Sequence, residues 1–388
     1  MYFQIVLLLT KIINRLISTF RLGSGHTWPG HVALKLYPNI LSDYRIKFKK
    51  GVVVVSGTNG KTTTSKIITH VLTAEGLKVV SNSTGANLLN GVVSAVLLQI
   101  PLFGAYSLDI AVFEVDEFAL PIVLQHVSPT VLVLLNLSRD QLDRYGETDT
   151  IADRWTEAAR GLLASSTLVY LDSQAELKMV ASVFPGRALG FGEEGNLADL
   201  SKIGLYGRFN TQNLNAALTV CSIFGINKDR VLKSLGDFNA AYGRGEVLLY
   251  NNRNFHIFLA KNPASFNNNL EMFVSSRNLS RANNVLVVLN DNIPDGRDVS
   301  WIYDINVGLI KKAFQNTSNL FVSGTRCLDM AVRLKYAGIS VLEKDIFINL
   351  NDAISRIYSE NISGDILVLP NYSAMLDIRK ILTGKKIL

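Results

Sequence analysis

Val52-Val53-Val54-Val55-Ser56-Gly57-Thr58-Asn59-Gly60-Lys61-Thr62-Thr63 is a β-branched run, then a glycine turn, then the opening of a helical pattern. Four valines without polar alternation suit a strand buried on both faces of a parallel sheet. The residues from about Thr62 to Ala74 read as a helix that stops at Gly76. Strand, lysine-bearing turn and helix in that order make a phosphate-binding loop. Gly57 and Gly60 let backbone N–H groups, with those of Thr58 and Asn59, approach phosphate oxygens, and the helix start adds positive potential. Lys61 reaches the outer phosphates, and a hydroxyl of Thr62 or Thr63 ligates Mg²⁺. A plain glycine turn with an exposed lysine would not need this order. The loop is shorter than the common GxxxxGK[ST] form, because its first glycine stands three residues before Gly60.

Strands are expected near 78–81, 109–115, 130–136 and 167–171, with helices near 151–163 and 210–224, which is βαβ architecture. The strand Ile110-Ala111-Val112-Phe113-Glu114 ends on a carboxylate, so Glu114 is the Mg²⁺ candidate. Mg²⁺ usually takes one or two protein carboxylates. Asp116 is balanced between a supporting role and a solvated strand exit, and Glu117 reads as the latter. The small, glycine-rich stretch 240–245 reads as a linker. Beyond it the alternation begins afresh, with strands expected at 255–259, 284–289, 319–323, 340–342 and 365–369 and helices at 328–336 and 351–359. The division is 1–45 as an N-terminal helix and lead-in, 46–240 as an ATP-binding domain with a parallel sheet, and 241–388 as a Rossmann-like α/β domain.

The 388 residues are 48% hydrophobic and 18% charged, which excludes a disordered or collagen-like chain and suggests two or three domains. Lys and Arg outnumber Asp and Glu by 39 to 32, without a run of five basic residues. This favours phosphates or an acidic membrane surface, with no pointer to nucleic acid. Cys221 and Cys327 are too few for a disulfide framework or a four-thiolate zinc site, so a cytoplasmic setting is expected. Residues 2–20 read as an amphipathic helix, with Leu9, Ile12, Ile13, Leu16, Ile17 and Phe20 on one side and Lys11, Asn14, Arg15 and Ser18 on the other. Packing of that apolar face on the protein's own body is the first expectation, and contact with the inner face of the plasma membrane is the second.

Gly57 to Thr63, the Glu114 strand, Asp140-Gln141-Leu142-Asp143-Arg144-Tyr145-Gly146 and Asn210-Thr211-Gln212-Asn213 together resemble the ATPase core of the Mur ligases. Those enzymes form an acyl phosphate from a carboxylate and ATP, and an amine then displaces the phosphate. Leu259 to Ala264, Leu289 to Trp301 and Ser323 to Arg326 resemble the C-terminal domain of the MurT branch, synthetase subunits of lipid II isoglutaminyl synthase. The likeness runs from about His26 to Leu376, and the Asp295 to Trp301 block is its most discriminating part. It implies ATP and Mg²⁺ as cofactors, with Lys61 and Thr62 at phosphates and metal, Glu114 on Mg²⁺, Asn210 and Asn213 on the adenine side, and Arg244 near the nucleotide. It also implies that Asp298 completes a Cys-His-Asp triad whose other members belong to a GatD-like glutaminase in a heterodimer. As a residue type alone, Asp298 suits a helix cap. The branch's usual zinc ribbon has no counterpart here, so zinc is not expected.

The implied activity is ATP-dependent amidation of the D-glutamate α-carboxylate of lipid II to D-isoglutamine. The alternatives are an amino-acid-adding ligase of the Mur or folylpolyglutamate type, separable by ammonia incorporation, and a nucleotide-gated scaffold subunit, separable by phosphate release. Lys61→Ala is expected to abolish activity with the fold intact. His70, His126 and His256 read as helix-surface or loop residues, and Cys327 as a turn residue.

Overall fold

A computed structural model describes residues 2–20, 27–43, 45–82, 86–104, 106–138, 148–193, 200, 203, 205, 207, 209–238, 243–275, 283–359, 362 and 364–384. The valine run forms β1 (Val52–Ser56), buried throughout. It lies inside a six-stranded sheet with β2 (Val79–Ser81), β3 (Ile110–Glu114), β4 (Val131–Leu134), β5 (Thr167–Leu171) and β6 (Arg187–Phe191). The order is β2-β3-β1-β4-β5-β6, and every pairing is parallel. The chain leaves β1 toward β2 on one side and returns to β4 on the other, so a crevice opens at the carboxyl end of β1.

The second sheet contains β7 (Arg244–Tyr250), β8 (Arg253–Phe258), β9 (Asn284–Val288), β10 (Asn319–Ser323), β11 (Ile346–Phe347) and β12 (Ile366–Pro370). Its order is β11-β10-β9-β12-β8-β7, antiparallel only between β7 and β8. Alternate residues of β9 serve opposite cores. Val285 and Val287 pack with Phe266, Trp301 and Met330, whereas Leu286 and Val288 pack with Phe255, Phe321 and Ile378.

Three sequence expectations need correction. Arg244 and Gly245, read as linker, begin β7. This edge strand leaves Val247 and Leu249 exposed, so it lacks a clean apolar alternation. Its hairpin turns at Asn251 and Asn252, both with left-handed φ, the geometry of a tight two-residue turn. The expected strand at 340–342 is absent, because the edge of β10 is taken instead by Ile346 and Phe347. The third concerns the N-terminal helix, α1 (Tyr2–Phe20), which does pack on the body, but through Phe3, Val6, Leu7 and Thr10. Leu9, Ile12, Leu16 and Phe20 are exposed instead. The helix is apolar on two sides, and the side named from the sequence is the outer one. It lies over α2 (Trp28–Leu36) and α4 (Leu89–Gln99), between which the chain forms α3 (Lys61–Ala74).

Phe113 of β3 is 1% exposed and meets the Phe48 ring edge-on at 6.3 Å between centroids. Phe113→Ala is expected to destabilise the chain by about 3–5 kcal/mol through the cavity left beside β1, read as a lower denaturation midpoint.

Candidate nucleotide-binding cleft

Between β1 and α3 the backbone turns through two glycines with positive φ, Gly57 at 144° and Gly60 at 89°. A Cβ on Gly60 would stand 2.0 Å from Asn213 Oδ1, so only hydrogen fits there. The residues after β4 hold the loop's shape. The Thr58 N–H donates to the Asn136 carbonyl at 2.9 Å. The Asn59 N–H donates to Asn136 Oδ1, and Asn136 Nδ2 donates back to the Asn59 carbonyl, both at 2.9 Å. Thr58 Oγ1 donates to the Ser138 carbonyl at 3.1 Å. Asn136 is thus a structural clamp that the sequence signalled only by standing just after a buried strand.

Lys61 points inward. Its ammonium donates to the Gly57 carbonyl, to the Thr58 carbonyl at 3.1 Å and to Glu117 Oε2 at 2.8 Å, which uses all three of its protons. Glu117 is therefore not a solvated strand exit. It is 2% exposed, and Trp155 Nε1 donates to its backbone carbonyl at 2.8 Å. The chain bends after β3 and brings this carboxylate under the loop, where the ammonium compensates its burial. Burial pulls the Lys61 pKa down, but the charges of Glu117, Asp116 and Glu114 outweigh it, and the net shift is upward.

Glu114 sits in register with Val55, the second-last residue of β1. Asn82 brackets its backbone, accepting the Glu114 N–H at 2.8 Å and donating to the Glu114 carbonyl at 2.7 Å. Glu114 Oε1 accepts from Thr62 Oγ1 at 3.0 Å, while Oε2 is buried with no hydrogen-bond partner. Burial raises its pKa against the opposing pull of Lys61, the Thr62 hydroxyl, Arg244 and Lys261. The last two reach this carboxylate from the second α/β unit. Arg244 opens β7 and Lys261 follows β8. Asn262 Nδ2, the next residue along, approaches Asn59 Oδ1 at 3.4 Å. The cleft therefore lies between the two sheets, and Arg244 lines it with Gly60, Thr63 and Asn213.

Asn213 Nδ2 donates to Asn210 Oδ1 at 2.9 Å, and Asn213 Oδ1 accepts from Thr64 Oγ1 at 3.4 Å. The pair thus braces the start of α3, and Asn213 also lines an open cavity of about 170 Å³ with Asn59, Gly60, Asn136, Gln174 and Phe209. The structure brings together Gly57, Thr58, Asn59, Gly60, Lys61, Thr62, Thr63, Glu114, Asn210, Asn213 and Arg244. Asp298 stands in another neighbourhood. It is exposed, its Oδ1 accepts the Ser300 N–H at 2.8 Å, and that bond, with Arg326 nearby, holds its pKa below the ordinary carboxylate range. This is the turn-capping geometry that its residue type suits. The Asp140–Gly146 segment lies outside the described residues.

The block around Asp298 is largely architectural. Asp295 accepts from the N–H of Ser373 at 3.0 Å and from its hydroxyl, while Trp301 is buried against Phe266. His256 stands on β8 rather than in a loop and meets Asp365 Oδ2 at 2.9 Å. Cys327 is buried at a helix start, and burial pushes its thiol pKa up, which disfavours a thiolate. Among the described residues no three His, Cys, Asp or Glu side chains cluster as a metal site. One carboxylate oxygen without a partner beside one threonine hydroxyl still suits a cation that keeps most of its water.

Because burial raises the Glu114 pKa, the folded chain holds that proton more tightly than the unfolded chain. Its contribution to stability is fully present below the ordinary carboxylate range and is lost as pH rises through the folded value. Glu114→Gln, which resembles the protonated form, is expected to flatten this fall. Denaturation midpoints of both proteins across acidic to neutral pH, without nucleotide or metal, check it.

Two family models match the chain, the Mur ligase middle domain over residues 55–204 and the MurT ligase C-terminal domain over residues 259–375. The MurT subunit of lipid II isoglutaminyl synthase (glutamine-hydrolyzing) from Staphylococcus aureus strain COL is 30% identical, across 90% of this chain and 91% of its own. Among solved structures, MurF from Acinetobacter baumannii superposes with a TM-score of 0.68 at 18% identity, covering 91% of this chain and 79% of that one. MurF ligase from Thermotoga maritima, in complex with ADP, superposes at 0.65 with 17% identity, covering 90% and 82%. The fold is that of the Mur ligases. Identity at this level along nearly the whole of both chains decides the branch: the protein belongs to the MurT family of ATP-dependent Mur-type ligases.

Proposed function

We propose that this chain amidates the D-glutamate α-carboxylate of lipid II, working with a glutaminase partner in the cytoplasm at the inner face of the plasma membrane. The carboxylate attacks the γ-phosphate of ATP, the β–γ phosphoanhydride bond breaks to release ADP and leave an acyl phosphate, and ammonia then displaces inorganic phosphate to give D-isoglutamine. The observation that carries this reading is the cleft in which Arg244 of the second sheet faces Gly60, Thr63 and Asn213 beside the Thr62–Glu114 pair, in a chain akin along its length to a lipid II isoglutaminyl synthase subunit.

Phosphoryl transfer asks for placement and charge compensation more than for covalent chemistry by the protein. The start of α3 faces the phosphates, the Thr58 and Asn59 N–H groups being held by Asn136, and Lys61 exchanges its carbonyl contacts for phosphate oxygens while keeping Glu117 as its counter-charge. Thr62 Oγ1 and Glu114 Oε2 would hold Mg²⁺. When bound, that ion would neutralise charge on the β- and γ-phosphates. Arg244 and Lys261 supply positive charge from the opposite wall, where the acceptor carboxylate and the phosphoryl group must meet. Approach of the two units assembles both walls.

The glutaminase would use Asp298 as the carboxylate of a triad whose cysteine and histidine it provides itself. An exposed aspartate, held ionised by the Ser300 N–H, suits that role.

Lys61→Ala alone strands a buried Glu117, so the fold is not left untouched as the sequence suggested. Loss of stability of about 3–5 kcal/mol is expected along with loss of ATP binding. The double variant Lys61→Met, Glu117→Gln removes both charges and is expected to recover most of that stability while still failing to bind ATP by calorimetry; normal ATP binding by the double variant would refute the phosphate role. With a glutaminase supplied, Asp298→Asn is expected to lose glutamine-dependent amidation and keep amidation from free ammonium. Equal loss of both would remove Asp298 from the triad.

A further inference from the structure

The net charge of +7 is concentrated at one end of the chain. Eight of the 39 basic residues fall within positions 1–50, against the single acid Asp43, so that segment alone carries a net +7, while the other 338 residues hold 31 basic and 31 acidic side chains. The same segment contains α1, the one described helix long and apolar enough to cross a membrane. Its inner side is engaged. Phe3, Val6, Leu7 and Thr10 are buried, the Tyr2 hydroxyl donates to the Leu36 carbonyl, and Lys11 Nζ donates to the Leu98 carbonyl at 3.0 Å. A helix tied to α2 and α4 in this way lies along the surface of the first α/β unit.

At 100° per residue, Ile5, Leu8, Leu9, Ile12, Leu16 and Phe20 share one arc of about 120° on the opposite side. Each is exposed, from 37% at Leu9 to 65% at Phe20. Exposed Arg15 stands at the margin of the arc, and exposed Lys35 precedes the carbonyl that Tyr2 engages. Scattered exposed apolar residues are ordinary, but an arc more than four turns long, interrupted only by Thr19, is a contact surface.

We propose that the outer face of α1 is a docking surface for an anionic lipid bilayer, on which the helix lies in the interface plane. The apolar arc enters the boundary between headgroups and acyl chains, and exposed Arg15 and Lys35 supply the attraction to lipid phosphates. A second copy of the chain would bring the like charges of Arg15 and Lys35 together, whereas an anionic surface neutralises them. The proposal goes beyond the ligase reading and does not depend on it, because the surface is built from residues outside the cleft.

The full chain is mixed with vesicles of phosphatidylcholine alone or with added phosphatidylglycerol, without lipid II or ATP, and floated through a density gradient. The chain is expected to float with the phosphatidylglycerol vesicles and to release as salt is raised. Ile12→Asn with Leu16→Asn is expected to weaken partitioning more than about tenfold, and Arg15→Gln about fivefold. Circular dichroism and thermal midpoints should stay unchanged, because these side chains face outward. The proposal is overturned if the unaltered chain stays with the free protein at low salt, or if folded variants float equally well. It is also overturned if sedimentation shows a self-association that the same substitutions abolish while vesicles remain unbound. Loss of amidation in any of these proteins leaves the flotation result unaffected, so the two readings fail separately.

Discussion

The cleft is organised around an ammonium buried against a carboxylate. Lys61 and Glu117 are held 2.8 Å apart in a place where neither charge could stand alone. Their pairing fixes the glycine loop from inside, because the same ammonium also bonds the Gly57 and Thr58 carbonyls. A phosphate arriving at this loop can take the place of the Gly57 and Thr58 carbonyls on the ammonium. Glu117 then keeps its counter-charge, and neither member of the pair is stranded in the interior.

Glu114 is the complementary case. Its neighbour Glu117 has an ammonium, but its own Oε2 has no hydrogen-bond donor, and burial keeps its pKa high. Such a group costs stability in the ligand-free chain and becomes favourable only when positive charge is added. Stability given up at a functional residue in this way is common in enzymes. Arg244 and Lys261 bring part of that positive charge from the second sheet. The orientation of the two α/β units thus tunes the electrostatics of a carboxylate that belongs to the first.

The asparagines give the cleft its shape. Asn136 clamps the loop from the β4 side, Asn82 brackets Glu114, Asn213 fills the space that glycine leaves open at position 60, and Asn262 touches the loop from across the cleft. A carboxamide donates and accepts without adding net charge. It can therefore satisfy backbone groups beside a phosphate site without altering the local potential.

The sequence by itself determined the β1 strand, the loop and helix after it, the carboxylate ending β3, and the alternation that divides into two α/β halves. Each is a local pattern in which burial on both faces or a glycine requirement leaves its mark on neighbouring residues. Tertiary structure alone decided what depends on distant segments meeting. Glu117 could not be told from a surface acid until the bend after β3 placed it beneath Lys61, 56 positions earlier in the chain. The weakly patterned β7 became a strand by pairing with β8. In α1, the spacing showed an apolar helix but not which of its two apolar sides the body would cover. That was settled by where α2 and α4 lie, because a helix apolar on both sides carries no local record of its neighbours.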